Sequence, residues 1–210
     1  MKLTSSSFDD GGAIPAQYAF CAPDPSSHVT LSKNENPQLA WRNVPMGTKS
    51  FAIVCHDPDV PSRGDDVNKE GRVVPKSLPR VDFFHWVMVD LPASTTELKE
   101  GEFSRGFTAH GKPGPDVGGA GARHGLNDYT GWFAGNEEMA GNYFGYDGPF
   151  PPFNDSLIHH YVFTVYALGV ERAPVEGKFT GAQVREAIYP HVLAEATHSG
   201  TYTLNKRLIA

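Results

Sequence analysis

The stretch that most constrains this chain is Gly148 to Leu168, GPFPPFNDSLIHHYVFTVYAL. It starts as a proline-stiffened loop and ends as an almost unbroken β-branched and aromatic run, the pattern of a strand covered on both faces. Side chains alternate along a strand, so His159 and Tyr161 share one face and His160 takes the other. At most one of the two adjacent histidines can serve a given site. Pro149, Pro151 and Pro152 fix φ and lack an N–H, so the loop before the strand is stiff and presents carbonyls and rings. A rigid rim beside a histidine implies a preformed pocket.

Two more runs read as buried strands. Phe51 to His56, FAIVCH, is stopped by Asp57-Pro58-Asp59-Val60-Pro61-Ser62-Arg63, which places Asp57 at the strand's C-terminal end. Phe83 to Leu91, FFHWVMVDL, is the next. If it returns antiparallel to the first, Asp57 and His85 meet at one sheet edge. Between them, Pro58 to Asp82 is a polar connection too long for a hairpin and a candidate lid or interaction loop. Leu39 to Trp41 suits a short strand with Trp41 in the core, and residues 1 to 50 suit short edge strands joined by tight turns.

Ser94 to Gly101 is predicted to form a helical turn capped by Ser94. Phe103 to Asp147 is glycine-rich, with Asn127, Asp128, Tyr129, Trp132, Phe133 and Tyr143 embedded, and reads as a loop packed over a surface and forming part of the pocket wall. Thr180-Gly181-Ala182-Gln183 has capping-box spacing and opens a helix whose Val184, Ile188, Leu193 and Ala196 face the core, broken by Pro190 into two pieces. Tyr202 to Leu204 would be a closing strand. With 22 glycines and 17 prolines in 210 residues, a loop-rich, mainly β architecture is expected, in one domain spanning residues 1–210.

Composition also excludes function classes. A formal charge of −6 without a basic tract argues against nucleic acid as a partner. The N-terminus lacks an apolar targeting core and no later run could span a bilayer, so no transmembrane segment and a cytoplasmic location are expected. Cys21 and Cys55 match no metal spacing, no disulfide is expected, and Cys55 reads as a packed thiol. Asn154-Asp155-Ser156 has the form of a glycosylation acceptor but reads as a turn. No nucleophile elbow or phosphate-binding loop is present, and the run Gly119 to Gly125 misses the dinucleotide fingerprint by one residue. No closely spaced histidine pair on one helical face suggests a metal, and no cofactor is implied.

Asp57, His85 and His159 remain, each at the end of a strong strand signal. A carboxylate can orient an imidazole and favour its protonated form, which can hold an oxyanion such as phosphate. The same residues could instead be a turn-capping aspartate and two buried, hydrogen-bonded histidines. The residues by themselves leave both readings open.

Asp57-Pro58-Asp59-Val60-Pro61-Ser62-Arg63, the strand with His85, and Gly148-Pro149-Phe150-Pro151-Pro152 followed by His159-His160-Tyr161 together resemble the phosphatidylethanolamine-binding protein (PEBP) family, also called the Raf kinase inhibitor protein family. Met1 to Ser5, the insert near Asn127-Asp128-Tyr129 and Gly145 to Pro149 resemble its bacterial branch. The resemblance implies a mainly β, PEBP-like fold in which a large antiparallel sheet packs against a smaller sheet, with a few peripheral helices. It implies a non-enzymatic pocket for phosphate or a phosphorylated head group, formed by Asp57, His85, Pro152, His159 and Tyr161, with Phe83 where many members carry tryptophan and Asp59 organising the loop. Modulation of a partner protein such as a kinase or protease is implied, and the bacterial branch suggests a homodimer. The rival functions are a hydrolase using the Asp and two His, and a protease inhibitor acting through an exposed loop. Neither Ser62 nor Tyr161 sits in an activating motif, which disfavours the hydrolase.

Overall fold

The computed structural model describes residues 1–117 and 121–209, so Gly119 and Ala120 of the glycine-rich run lie outside it. Among the described residues eleven strands form: β1 (Lys2–Thr4), β2 (Gly12–Ala13), β3 (Cys21–Asp24), β4 (His28–Leu31), β5 (Leu39–Arg42), β6 (Ser50–Pro61), β7 (Arg80–Pro92), β8 (Glu97–Leu98), β9 (Arg123–His124), β10 (His159–Leu168) and β11 (Val192–Tyr202). Two helices, α1 (Tyr129–Trp132) and α2 (Gly181–Ile188), and two single 3-10 turns complete it.

The large sheet has the order β2-β11-β10-β6-β7-β9, and β1-β5-β8 form the smaller one, with β3 and β4 as a separate hairpin. Every pair in the large sheet is antiparallel except β2 with β11, so the sheet is mixed at one edge. The expected PEBP-like architecture is otherwise the one observed.

The apolar run of β6 has no polar alternation because both faces are covered. Phe51, Ile53 and Cys55, with Trp86, Met88 and Phe163, pack against Leu39 and Trp41 of the smaller sheet. The Trp41 ring meets Phe51 edge-on, with centroids 5.2 Å apart. Ala52 and Val54 face the opposite layer, with Val87, Val89, Leu168, Phe179 and, from α2, Val184 and Ile188. Cys21 and Cys55 are both buried, free thiols.

Four expectations need correction. First, β6 does not stop at Asp57-Pro58 but runs on to Pro61, with a register shift against β7 between Asp57 and Val60. A bulge tolerates a residue that cannot donate to the ladder, so Pro58 is accommodated and Asp57 sits within the sheet. Second, β7 begins at Arg80, which shortens the polar connection to residues 62–79. Third, Ser94 to Gly101 forms no helical turn. Thr95 and Thr96 favour extended backbone, and Glu97–Leu98 pairs with β5 so that Leu98 is buried.

The fourth correction concerns the C-terminal region. Thr180 caps α2 through a complete capping box with Gln183, but the piece containing Pro190 is one 3-10 turn, Tyr189–His191. Beyond it the chain is strand β11 from Val192, hydrogen-bonded along β10. Leu193 consequently points outward and is 47% exposed. Among the described residues no helix is long and apolar enough to cross a membrane.

Val184 and Ile188 are the side chains that seat α2 on the sheet, and Ile188 is 1% exposed. Replacing Ile188 with Ala should cost about 2–5 kcal/mol, by lost burial plus the cavity left behind. Denaturant unfolding measures this directly. An unchanged midpoint would mean that α2 does not rest on the large sheet.

Candidate functional site

β6, β7 and β10 lie side by side, and their shared face brings Asp57, His85, His159 and Tyr161 to one small cavity of about 40 Å³. The proline loop closes one wall with Phe150, Pro151 and Pro152, α1 supplies Tyr129 and Trp132, and the 62–79 connection supplies Val67 and Asn68. Gly148, where the proline loop leaves the core, has no room for a side chain: a Cβ there would lie 2.0 Å from the Tyr18 carbonyl oxygen. Its N–H donates to Asn34 Oδ1 and its carbonyl accepts from the Tyr129 hydroxyl. The loop is thus pinned where it begins.

The 62–79 connection is fastened rather than free. The Asn68 N–H donates to Asn154 Oδ1, while Asn68 Oδ1 accepts from the Phe153 N–H. Asn154 also donates its amide to the carbonyls of Asp66, Lys69 and Arg72. The side chain that looked like a turn residue is therefore the buried peg that shapes this loop.

His159 is fully buried between two carboxylates, with Nδ1 2.7 Å from Asp57 Oδ2 and Nε2 3.1 Å from Asp155 Oδ2. Burial opposes its charge, but the hydrogen bonds to Asp155 and Asp57 outweigh burial and raise its pKa from 6.5 to about 9. Burial also works to raise the Asp155 pKa, and the hydrogen bonds from His159 and Arg80 more than reverse it, leaving it lowered. Arg80 grips Asp155 with both terminal nitrogens, at 2.6 and 3.0 Å. The expectation that an imidazole held by Asp57 also holds an oxyanion does not suit His159, because both of its N–H groups are already spent.

Of the two cavity histidines, His85 is the one left with a free nitrogen. Its Nδ1 lies 2.8 Å from the Asp147 carbonyl, while Nε2 is buried without a partner. Burial lowers its pKa, against the pull of Asp57 and Asp147. The Tyr161 hydroxyl is likewise buried without a partner, and burial followed by the charge of Asp57 pushes its pKa well up. The two rings meet edge-on with centroids 5.1 Å apart, and Phe83 packs on His85 at 4.9 Å.

Six of the seven residues singled out from the sequence, Asp57, Phe83, His85, Pro152, His159 and Tyr161, line the cavity. Asp59 does not. Its carboxylate accepts from the His160 N–H and Nδ1, and Arg80 binds its carbonyl, so it orders the chain behind the cavity. His160 is exposed on the face away from the cavity. Asp155 and Arg80 escaped notice because each stood alone in a polar stretch. A carboxylate four residues before a histidine predicted to be buried was the one available signal.

A histidine whose folded pKa exceeds its unfolded value stabilises the fold fully below the unfolded pKa and loses that contribution as pH rises through the folded one. For His159 the window is pH 6.5 to about 9. The unfolding free energy of the protein should therefore fall across this window, and in His159→Gln that part of the slope should vanish. Denaturant melts of both proteins at pH 6, 7.5 and 9 test this. Parallel profiles would show that His159 is not held as a cation.

The sequence profile of the phosphatidylethanolamine-binding protein family matches residues 4–203. Among relatives, the UPF0098 protein YbhB of Escherichia coli is 32% identical over 203 residues, covering 97% of this chain and all of that protein. Names of the UPF0098 type assign no activity. Among solved structures, the crystal structure of Escherichia coli YbcL, described as a new member of the mammalian PEBP family, superposes with a TM-score of 0.67 at 28% identity, covering 96% of this chain and 97% of that one. A PEBP homologue from Chlamydia trachomatis gives a TM-score of 0.61 at 26% identity, covering 96% and 95%. With the family profile matching residues 4–203 and a 32% identical relative covered along its whole length, this chain belongs to the phosphatidylethanolamine-binding protein family.

Proposed function

We propose that this protein is a non-enzymatic binding module whose cavity between β6, β7 and β10 takes a small anion, either phosphate or a phosphorylated head group or side chain. The observation that carries the reading is the pair of buried, unpartnered polar atoms at the cavity, His85 Nε2 and the Tyr161 hydroxyl. Each such atom costs about 1–3 kcal/mol while unsatisfied, and a bound oxyanion that meets both recovers that cost. The volume admits a small group and leaves anything larger at the rim formed by Phe150 and Trp132.

Support for a non-enzymatic role comes from the lining. Among the described residues it contains no serine, threonine, cysteine or lysine. Its only hydroxyls are those of Tyr129 and Tyr161, both held protonated by burial. The Asp57 carboxylate is already occupied by the Asp59 N–H and by His159. No activated nucleophile is available for covalent catalysis.

Calorimetric titration with inorganic phosphate is the test. Wild type should bind, and His85→Ala and Tyr161→Phe should each weaken binding about tenfold, the loss of one hydrogen bond to a charged group. No binding by wild type at millimolar phosphate would remove the proposal. Turnover of phosphate or carboxyl esters that disappears in His85→Ala would replace it with an enzyme.

A further inference from the structure

The hydrogen bonding around His85 restricts the form in which an anion can enter. Its Nδ1 faces a carbonyl oxygen, that of Asp147, at 2.8 Å. A carbonyl only accepts, so Nδ1 carries the proton and Nε2 of the neutral ring is a bare lone pair. Asp147 also donates its own N–H to the His85 carbonyl at 3.0 Å. Its carboxylate is fixed in turn by Asn34, Asn127 and Lys112. The tautomer is therefore built into the fold.

The groups facing the ring come from every neighbouring element. They are Phe83 on β7, Asp57 on β6, His159 and Tyr161 on β10, Tyr129 on α1, and Asp147 with its paired Lys112. The charges come in pairs, Asp57 with His159 and Asp147 with Lys112, so burial dominates and keeps the ring neutral. The cavity floor then offers one acceptor without a partner, His85 Nε2, beside the already occupied Asp57 carboxylate, and one hydroxyl with no partner within hydrogen-bond distance, that of Tyr161.

We infer that the cavity selects oxyanions that still carry a proton: protonated orthophosphate, or a phosphomonoester in its singly protonated, monoanionic form, donating P–O–H to His85 Nε2 while a second oxygen accepts from Tyr161. This inference rests on the anion-binding reading and narrows it. A fully ionised dianion brings only lone pairs to the lone pair of Nε2, beside a carboxylate. A phosphodiester, the linkage within an intact phospholipid, bears one negative charge like the protonated monoester but has no proton to give. The second ionisation of a phosphomonoester falls near a pKa of about 6, so the selected form is abundant in mildly acidic to neutral solution.

Four probes separate the possibilities in titrations of wild-type protein at pH 6: inorganic phosphate, methyl phosphate, sulfate and dimethyl phosphate. Phosphate and methyl phosphate should bind, with sulfate and dimethyl phosphate at least tenfold weaker. The dimethyl ester stands for the lipid source and the first two for free phosphate and monoesters. Sulfate controls for size, since it matches phosphate in shape and lacks the proton. His85→Gln, whose amide can donate, should bring sulfate to within threefold of phosphate. Sulfate binding to wild type as tightly as phosphate would overturn the inference and leave anion binding standing. Absence of binding by all four would instead remove the anion-binding reading itself.

Discussion

The imidazolium of His159, closed between Asp57 and Asp155, is the contact on which the rest of the site depends. It joins the start of β10 to the bulged part of β6 and to the end of the proline loop. Asp155 extends the connection to Arg80 at the start of β7. Three adjacent strands and one loop are thus held by an alternating chain of four charges, nearly all of it out of water. Such a chain is costly to interrupt, because removing one member leaves its neighbour buried and uncompensated, typically at about 3–5 kcal/mol. Arg80 also binds the carbonyls of Asp59 and Pro75, so the same chain sets the bulge and the connection after it.

This arrangement divides the work between the two histidines. His159 keeps its charge and makes no offer to a ligand. His85 offers a nitrogen and gives up its charge, because it is deeply buried and its other nitrogen is fixed by Asp147. The sequence presents them as equals, two histidines at strand starts beside aromatic residues. Their roles separate only when the partners of each ring nitrogen are known, and those partners lie 102, 4 and 62 residues away along the chain.

Legibility followed the range of the interaction. The runs of β6, β7 and β10 were readable because burial on both faces leaves a purely local record of apolar residues, and the α2 cap was readable because a capping box spans four residues, Thr180 to Gln183. The face alternation that separates His159 from His160 is equally local. β11 was not readable: VLAEATHSGTY mixes helix formers with a loose alternation, and pairing with β10 along its length overrides the local preference. Pro58 misled for a related reason, since a bulge that rescues a proline within a strand exists only in relation to the neighbouring strand. Asp155 and Arg80 carry no local signature, and Asn154 imitated a different one.

Charge balance bears on what the cavity can achieve as a binding site. Asp57, His159, Asp155 and Arg80 sum to zero, and the whole chain carries a formal −6, so no long-range field draws an anion inward. The floor itself contains a carboxylate. On the proposed reading, recognition comes from short, directed hydrogen bonds to His85 and Tyr161 inside an enclosed pocket, where the low dielectric makes each bond count and each mismatch expensive. An anion site built this way, as proposed, would trade speed and raw affinity for discrimination among small anions of similar size. That trade suits a ligand met at high concentration, or one delivered on a partner that supplies further contacts at the Trp132 rim.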